Sequence, residues 1–344
     1  MSKAVTIADV AKLAGVHAAT VSRALNPAPQ AQVSPETVRR VQKAAKALGY
    51  VPNAMARSLR TSLSMTVGVT IPDLTNPIFP PMIRGIENFL APRGYTALLA
   101  DTDGRPALEK AAMTSLLERR VDGLIIATGL HDHALLPKLF DQGVRAVLAN
   151  RGAGKVPYPL VTGDDRSGIL MIVELLYKLG HRSVVHVAGP DNFSTSRTRR
   201  EAMVQACAEA GISCKVVSAS ALTAEDGEKV MDDLLSQRQN FTAVQASNDL
   251  LALGVLRSLR RHRLRCPEDM SVVGFNDMPF AQDFSPGLTT IRVPLEDIGT
   301  ESARLLFESI QSGKNDSVLV RLPVSLVVRG STCPAPKNKG AQAT

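Results

Sequence analysis

The sequence predicts an α/β protein, with a small all-α head ahead of a larger, two-lobed body of parallel sheets. Three observations carry this. Positive charge is concentrated at the start: residues 1–61 hold nine Lys or Arg against two acids, Asp9 and Glu36, while all 344 residues carry a formal net charge of +8. The same stretch reads as short amphipathic helices. From Met65 onward, β-branched runs alternate with helical stretches, the rhythm of parallel strands buried on both faces.

In the head, Ile7, Val10, Ala11 and Ala14 fall on one helical face, and Gly15 supplies a stop. A second helix over 18–25 turns Val21, Ala24 and Leu25 inward, and Asn26-Pro27-Ala28-Pro29 breaks it. Ser34 as N-cap, Pro35 at the first helical position and Glu36 in the first turn open a third helix, which runs to Leu48 and stops at Gly49. A short segment, AMARSLR, follows Pro52-Asn53 and leads into a polar linker at 61–64.

In the body, strand-like runs lie at 67–71, 96–100, 124–127, 146–149, 184–187, 216–218, 243–246 and 272–275. Helical stretches such as 80–91, 109–119, 167–179, 195–210 and 249–261 lie between them. So many units exceed one small sheet, which predicts two stacked lobes. A late helix over 296–311 precedes a final strand pair within 317–328, and the tail after Cys333 is short, polar and without leucine heptads.

Composition excludes several classes. Apolar residues make up 44% of the chain, enough for a full core. Cys207, Cys214, Cys266 and Cys333 form no CxxC pair, which argues against a disulfide scaffold or zinc knuckle. The start has no signal-peptide pattern and no run reaches 18 apolar residues, so a cytoplasmic protein without a membrane span is expected. A basic head on a nearly neutral body is the electrostatic footprint of nucleic-acid binding.

The spacing in IADVAKLAGVHAATVSRAL meets the needs of a helix-turn-helix. Ala11 is small where two helices would cross, Gly15 permits the turn, and Val16, Val21 and Ala24 pin the second helix. His17, Ala18, Ala19, Thr20, Ser22 and Arg23 are left pointing outward. That face could enter the major groove, with Thr20 and Ser22 suited to phosphates and Arg23 to a base edge or phosphate.

VTIADVAKLAGVHAATVSRALN, followed by VSPETVRRVQKAAKALGYVPNAMARSLR, resembles the lactose-repressor (LacI/GalR) family of bacterial transcription regulators. The resemblance continues through VGVTIPDLTNPIFPPMIRGIE, RRVDGLIIA, LGHRSVVHVAGP, ASNDLLALGVL, CPEDMSVVGFND and LTTIRVP, nearly the whole chain. It implies DNA contacts at Thr6, His17, Ala18, Ala19, Thr20, Ser22, Arg23 and Asn26. It also implies a hinge helix over 53–60, forming on DNA, that brings Asn53, Arg57 and Arg60 to the duplex and wedges Leu59 into the minor groove. His17 stands where the family usually has a Ser N-cap, a substitution expected to weaken the cap by about 1 kcal/mol. Ala18 and Ala19 stand where polar base readers are common.

For the body, the resemblance implies a periplasmic-binding-protein-like fold, with an effector between the lobes at the C-terminal ends of parallel strands. The matching positions are Asp73, Phe79, Asn150, Arg199, Asn248 and Asn276. The implied boundaries are a head over 1–61, a first lobe over 62–163 and 291–323, a second lobe over 164–290 and 324–333, and a disordered tail over 334–344. Positions 150 and 276 are often Asp in the family. Asn there, with Arg151 and Arg197 nearby, favours an anionic ligand such as a sugar acid or sugar phosphate.

Other motifs carry less. Gly152-Ala153-Gly154-Lys155 lacks phosphate-loop spacing. His131-Asp132-His133 has no evident third metal ligand. The basic run from Arg257 to Arg265 suits a solvated helix C-terminus. No cofactor or metal is expected. The basic head argues against a solute-binding transport component, and no catalytic constellation supports an α/β enzyme. The expectation is a DNA-binding repressor of a catabolic operon. It would act as a homodimer on a palindromic operator and respond to a small sugar-like effector.

Overall fold

A computed structural model describes residues 5–25, 33–50, 63–131, 133–237 and 240–336. The chain divides into two compact units, Met1–Ser64 and Met65–Thr344. The expected DNA contacts Asn26, Asn53, Arg57, Leu59 and Arg60, and the end of the tail, lie outside the described residues.

Among its described residues the first unit holds three helices: α1 (Ile7–Ala14), α2 (Ala18–Ala24) and α3 (Pro35–Leu48). Thr6 caps α1 in a reciprocal capping box with Asp9. Gly15 takes φ 60°, the left-handed conformation that the tight turn requires, and its N–H bonds back into α1. Ser34 caps α3, and Pro35 sits in its first turn. Val10, Ala11, Ala14, Val21, Ala24, Val41, Ala44 and Ala45 form the core. Five of these eight are alanines, so the helices approach closely.

Among its described residues the second unit has three sheets. A six-stranded parallel sheet contains β1 (Thr66–Ile71), β2 (Thr96–Asp101), β3 (Gly123–Ile126), β4 (Ala146–Ala149), β5 (Leu160–Gly163) and β11 (Leu319–Leu322), in the order β11-β5-β4-β3-β1-β2. A four-stranded parallel sheet contains β6 (Ser183–Ala188), β7 (Ser213–Ser218), β8 (Ala243–Ala246) and β9 (Ser271–Val273), in the order β7-β6-β8-β9. β10 (Thr290–Arg292) and β12 (Ser325–Val327) pair antiparallel.

The connecting helices are α4 (Phe79–Leu90), α5 (Pro106–Glu118), α6 (Leu136–Asp141), α7 (Asp165–Lys178), α8 (Ser194–Glu209), α9 (Ala224–Ser236), α10 (Asp249–Arg261) and α11 (Leu295–Ser312). The chain leaves the six-stranded sheet for the four-stranded one after β5, returns to it after β10, and leaves it again between β11 and β12. The two last strands do not pair with each other: β11 joins β5 and β12 joins β10, with Pro323 and Val324 between them.

Two helix crossings are set by glycine. A Cβ on Gly85 of α4 would collide with the Glu296 carbonyl of α11, and one on Gly299 of α11 with the Met82 carbonyl of α4. In the second lobe, Gly227 of α9 and Gly254 of α10 meet the Leu251 and Ala224 carbonyls in the same reciprocal way. Backbone contact this close excludes any side chain.

Candidate functional site

In the head, α2 presents His17, Ala19 and Arg23 to solvent, while Thr20 and Ser22 are half-buried. Ala18 departs from the outward reading. It packs against the head core, because it lies one turn before Val21 on the same helix side. His17 does not leave the helix start bare: its Nδ1 accepts from Ala19 N at 3.2 Å, a ring nitrogen doing the work of a serine oxygen. Thr6 is exposed as the cap of α1. Lys12, Arg23, Arg39, Arg40, Lys43 and Lys46 are also exposed, so the described head surface is strongly cationic. Backbone and cationic side chains of this kind suit a phosphate backbone, and the start of α2 suits base edges.

In the body, the C-terminal ends of the parallel strands converge. Arg199 of α8 is the centre of a buried network. Its Nε and Nη2 donate to Asp165 Oδ1 at 2.9 and 2.8 Å. Its Nη1 donates to the Ser247 carbonyl at 2.7 Å, and Nη2 also reaches Asn276 Oδ1 at 3.4 Å. The guanidinium lies 3.8 Å from the Phe275 ring centre. Burial pushes the Asp165 carboxyl above its ordinary range, with Arg199 pulling the other way.

The other expected effector residues are placed as follows. Asn276 joins the Arg199 network from a loop held in unusual backbone, φ 120° at Asn276 and 53° at Asp277. Asp249 anchors that loop, accepting from Met278 N at 2.7 Å and from Thr290 Oγ1 at 2.6 Å. Burial raises its carboxyl to about 6. Asp277 is gripped by Arg292 and Arg329, each at 2.7 Å. Asn248 caps α10 through Leu251 N at 2.8 Å and donates to the Leu222 carbonyl at 3.2 Å. Asn150 follows directly after β4 with φ 67° and precedes Arg151. Asp73 accepts from Thr75 in its own turn, and Phe79 is wholly buried at the start of α4. The network thus joins Arg199 to Asn276, with Asn248 adjacent to Ser247, while the bonds of Asp73 stay local.

Sequence reasoning missed Asp165 and Asp249. Asp165 sits in a Gly-Asp-Asp run after β5, a strand that was itself not expected; Asp249 lies inside the Ser-Asn-Asp motif beside the residue singled out.

The lobes also touch directly. His131 N donates to the Asn192 carbonyl at 2.8 Å, Arg197 Nη1 donates to His131 Nε2 at 3.1 Å, and Gly152 N donates to Ser194 Oγ at 2.9 Å. Arg151, from the end of β4, lies 3.9 Å over the Phe193 ring, just before α8. A cavity of about 460 Å³ opens among β5, β11 and the starts of α7 and α8, with Asp165, Thr162 and Arg321 in its lining. That volume suits a small ligand.

The remaining motifs find structural partners. Arg257, Arg261 and His262 face Glu225, Glu228 and Asp232 of α9, and Arg265 pairs with Asp269. His133 pairs with buried Glu109 at 3.0 Å; Asp132 lies outside the described residues. Among the described residues no group of three or more His, Cys, Asp or Glu could hold a metal, and no helix is long and apolar enough to cross a membrane.

Comparison with known proteins accounts for both units. Residues 6–53 match the lacI family of bacterial regulatory proteins, and residues 173–332 match a periplasmic binding protein-like domain. The chain is 34% identical over 339 residues to the HTH-type transcriptional repressor CytR of Escherichia coli K12, covering 96% of each chain. It is 33% identical over 329 residues to the ribose operon repressor of Halalkalibacterium halodurans, covering 95% of this chain and 97% of that one. Its fold is similar to that of the lac repressor dimer bound to operator and the anti-inducer ONPF, with a TM-score of 0.85 and 29% identity, over 96% of this chain and all of that one. The chain therefore belongs to the LacI family of bacterial regulatory proteins: it is a DNA-binding transcription regulator, with a helix-turn-helix head and a two-lobed periplasmic-binding-like body, and not an enzyme.

Proposed function

We propose that this regulator is a cytoplasmic repressor of a catabolic operon. It acts as a homodimer that sets two heads on a palindromic operator. The start of α2 reads base edges, with Arg23 on a base or phosphate. Asn26 and the 53–60 stretch, including Asn53, Arg57, Leu59 and Arg60, add contacts to the duplex. A small sugar-like effector bound between the lobes controls affinity, and Arg199, Asn248, Asn276, Asn150, Asp73 and Phe79 are the residues assigned to it. The relatives support this reading, since one is named for ribose and the solved dimer holds both operator and a small ligand.

The observation that carries it is Arg199, bound at once to Asp165, the Ser247 carbonyl and Asn276, where the strand ends meet. A ligand hydroxyl or acid entering there exchanges bonds with groups that fix the lobes. By linkage, effector and operator then alter each other's affinity, with a coupling of about 1–3 kcal/mol.

A gel-shift with the DNA upstream of its own gene tests this. A retarded band that candidate sugars weaken roughly 5–150-fold is the expected result. No retarded band, with or without sugars, would refute the operator reading.

A further inference from the structure

Arg151 is the residue whose surroundings the rest of the cleft does not explain. It is 4% exposed, and its Nε is buried without a hydrogen-bond partner. Arg199 has Asp165 and Arg200 has Asp191. Among the described residues, no carboxylate pairs with Arg151. Burial, with Arg199 nearby, draws its guanidinium down to about 10. A buried charge is ordinarily paired or bound to a ligand.

The neighbourhood is built for a negative charge. Arg151 stacks on Phe193, the N-cap residue of the 16-residue helix α8. Phe193 makes no side-chain cap bond, and the first turn of α8 carries no acid. The Ser196 hydroxyl, in that turn, is buried without a partner. Free N–H groups at a helix start attract anions. Arg151 belongs to the first lobe by sequence and rests on the second. A negative group neutralising it would therefore bear on both.

We propose that the effector carries an anionic group, a carboxylate or phosphate on a sugar frame, and that Arg151 is the residue that selects it. This rests on the reading of the interlobe space as the effector site. Arg199 is already neutralised by Asp165 and is left to hydroxyl recognition. Arg151 supplies the preference for acid over neutral sugar.

The test uses the full chain and its Arg151→Met and Arg151→Lys variants. Calorimetry and thermal melting are run with glucose, gluconate, glucose 6-phosphate and inorganic phosphate. At least one anion should raise the wild-type Tm and bind about tenfold or more tighter than glucose. Arg151→Met should abolish that advantage, and Arg151→Lys should keep part of it. Without ligand, the Met variant should melt no lower than wild type, because the apolar stem stays and the unpaired charge goes.

The proposal is overturned if no anion moves the wild-type melt, if Arg151→Met binds the anion as tightly as wild type, or if glucose alone binds. Gluconate and glucose 6-phosphate separate carboxylate from phosphate. A gel-shift in parallel separates the two readings. Release of operator by neutral sugar alone would leave the effector cleft standing and remove the role of Arg151. Anion binding through Arg151 with unchanged operator affinity would keep the anion site and remove its regulatory role.

Discussion

His186 is fully buried on β6, and its Nδ1 faces Gln245 Oε1 at 2.5 Å. Nε2 has no partner. Burial draws the imidazole from 6.5 down to about 4, opposed by the Gln245 bonds and reinforced by Arg199 and Arg200. The sign follows. Between these values the unfolded chain binds a proton that the folded chain refuses, so stability falls as pH drops from 6.5 towards 4. The loss from this group approaches about 3 kcal/mol. Urea unfolding across this range should show the decline, and His186→Gln should flatten it. An unchanged slope would mean that the ring is hydrated. Arg199 and Asp165 make a second residue-scale case. Arg199→Met strands a buried carboxylate and should cost about 3–5 kcal/mol in urea unfolding, while adding Asp165→Asn should restore part of it. Neither Asp165 nor the solitude of Arg151 was legible in the sequence. Arg199 and Asp165 are 34 positions apart, and only the fold joins them.

At the scale of elements, the reciprocal glycine crossings set how near two helices can lie. Gly254→Ala places a methyl group against the Ala224 carbonyl and backbone of α9. It should lower body stability by about 1–3 kcal/mol, seen as a lower urea midpoint. Retained stability would show that α9 and α10 can slide apart. The head helices were legible because their signals are local: a capping Thr or Ser, a period of 3.6 and a terminal glycine. Helix α9 carries the same kind of local signal, Thr223 capping it by accepting from Asp226 N. Strand β5 is four residues long and owes its state to β4 and β11 on either side. At His17 the cap is made by a ring nitrogen, Nδ1 accepting from Ala19 N at 3.2 Å.

At the scale of the whole molecule, most of the charge that meets DNA belongs to the small basic unit. Operator affinity should therefore fall steeply with salt, log K declining in proportion to the number of phosphates neutralised. Arg23→Met separates two roles in a binding assay over a salt series and a set of operator variants. A phosphate contact would reduce the salt slope by about 1 for all sequences. A base contact would cost about 1–3 kcal/mol at one base pair. Loss of neither would remove Arg23 from the interface. The late position of β11 has one more consequence. The six-stranded sheet takes one of its two edge strands from Leu319–Leu322, so a chain still on the ribosome cannot finish that sheet until these residues have been made. The first compact unit ends at Ser64, so the head can fold soon after it emerges. During synthesis the part that seeks DNA therefore matures before the part that answers to metabolites.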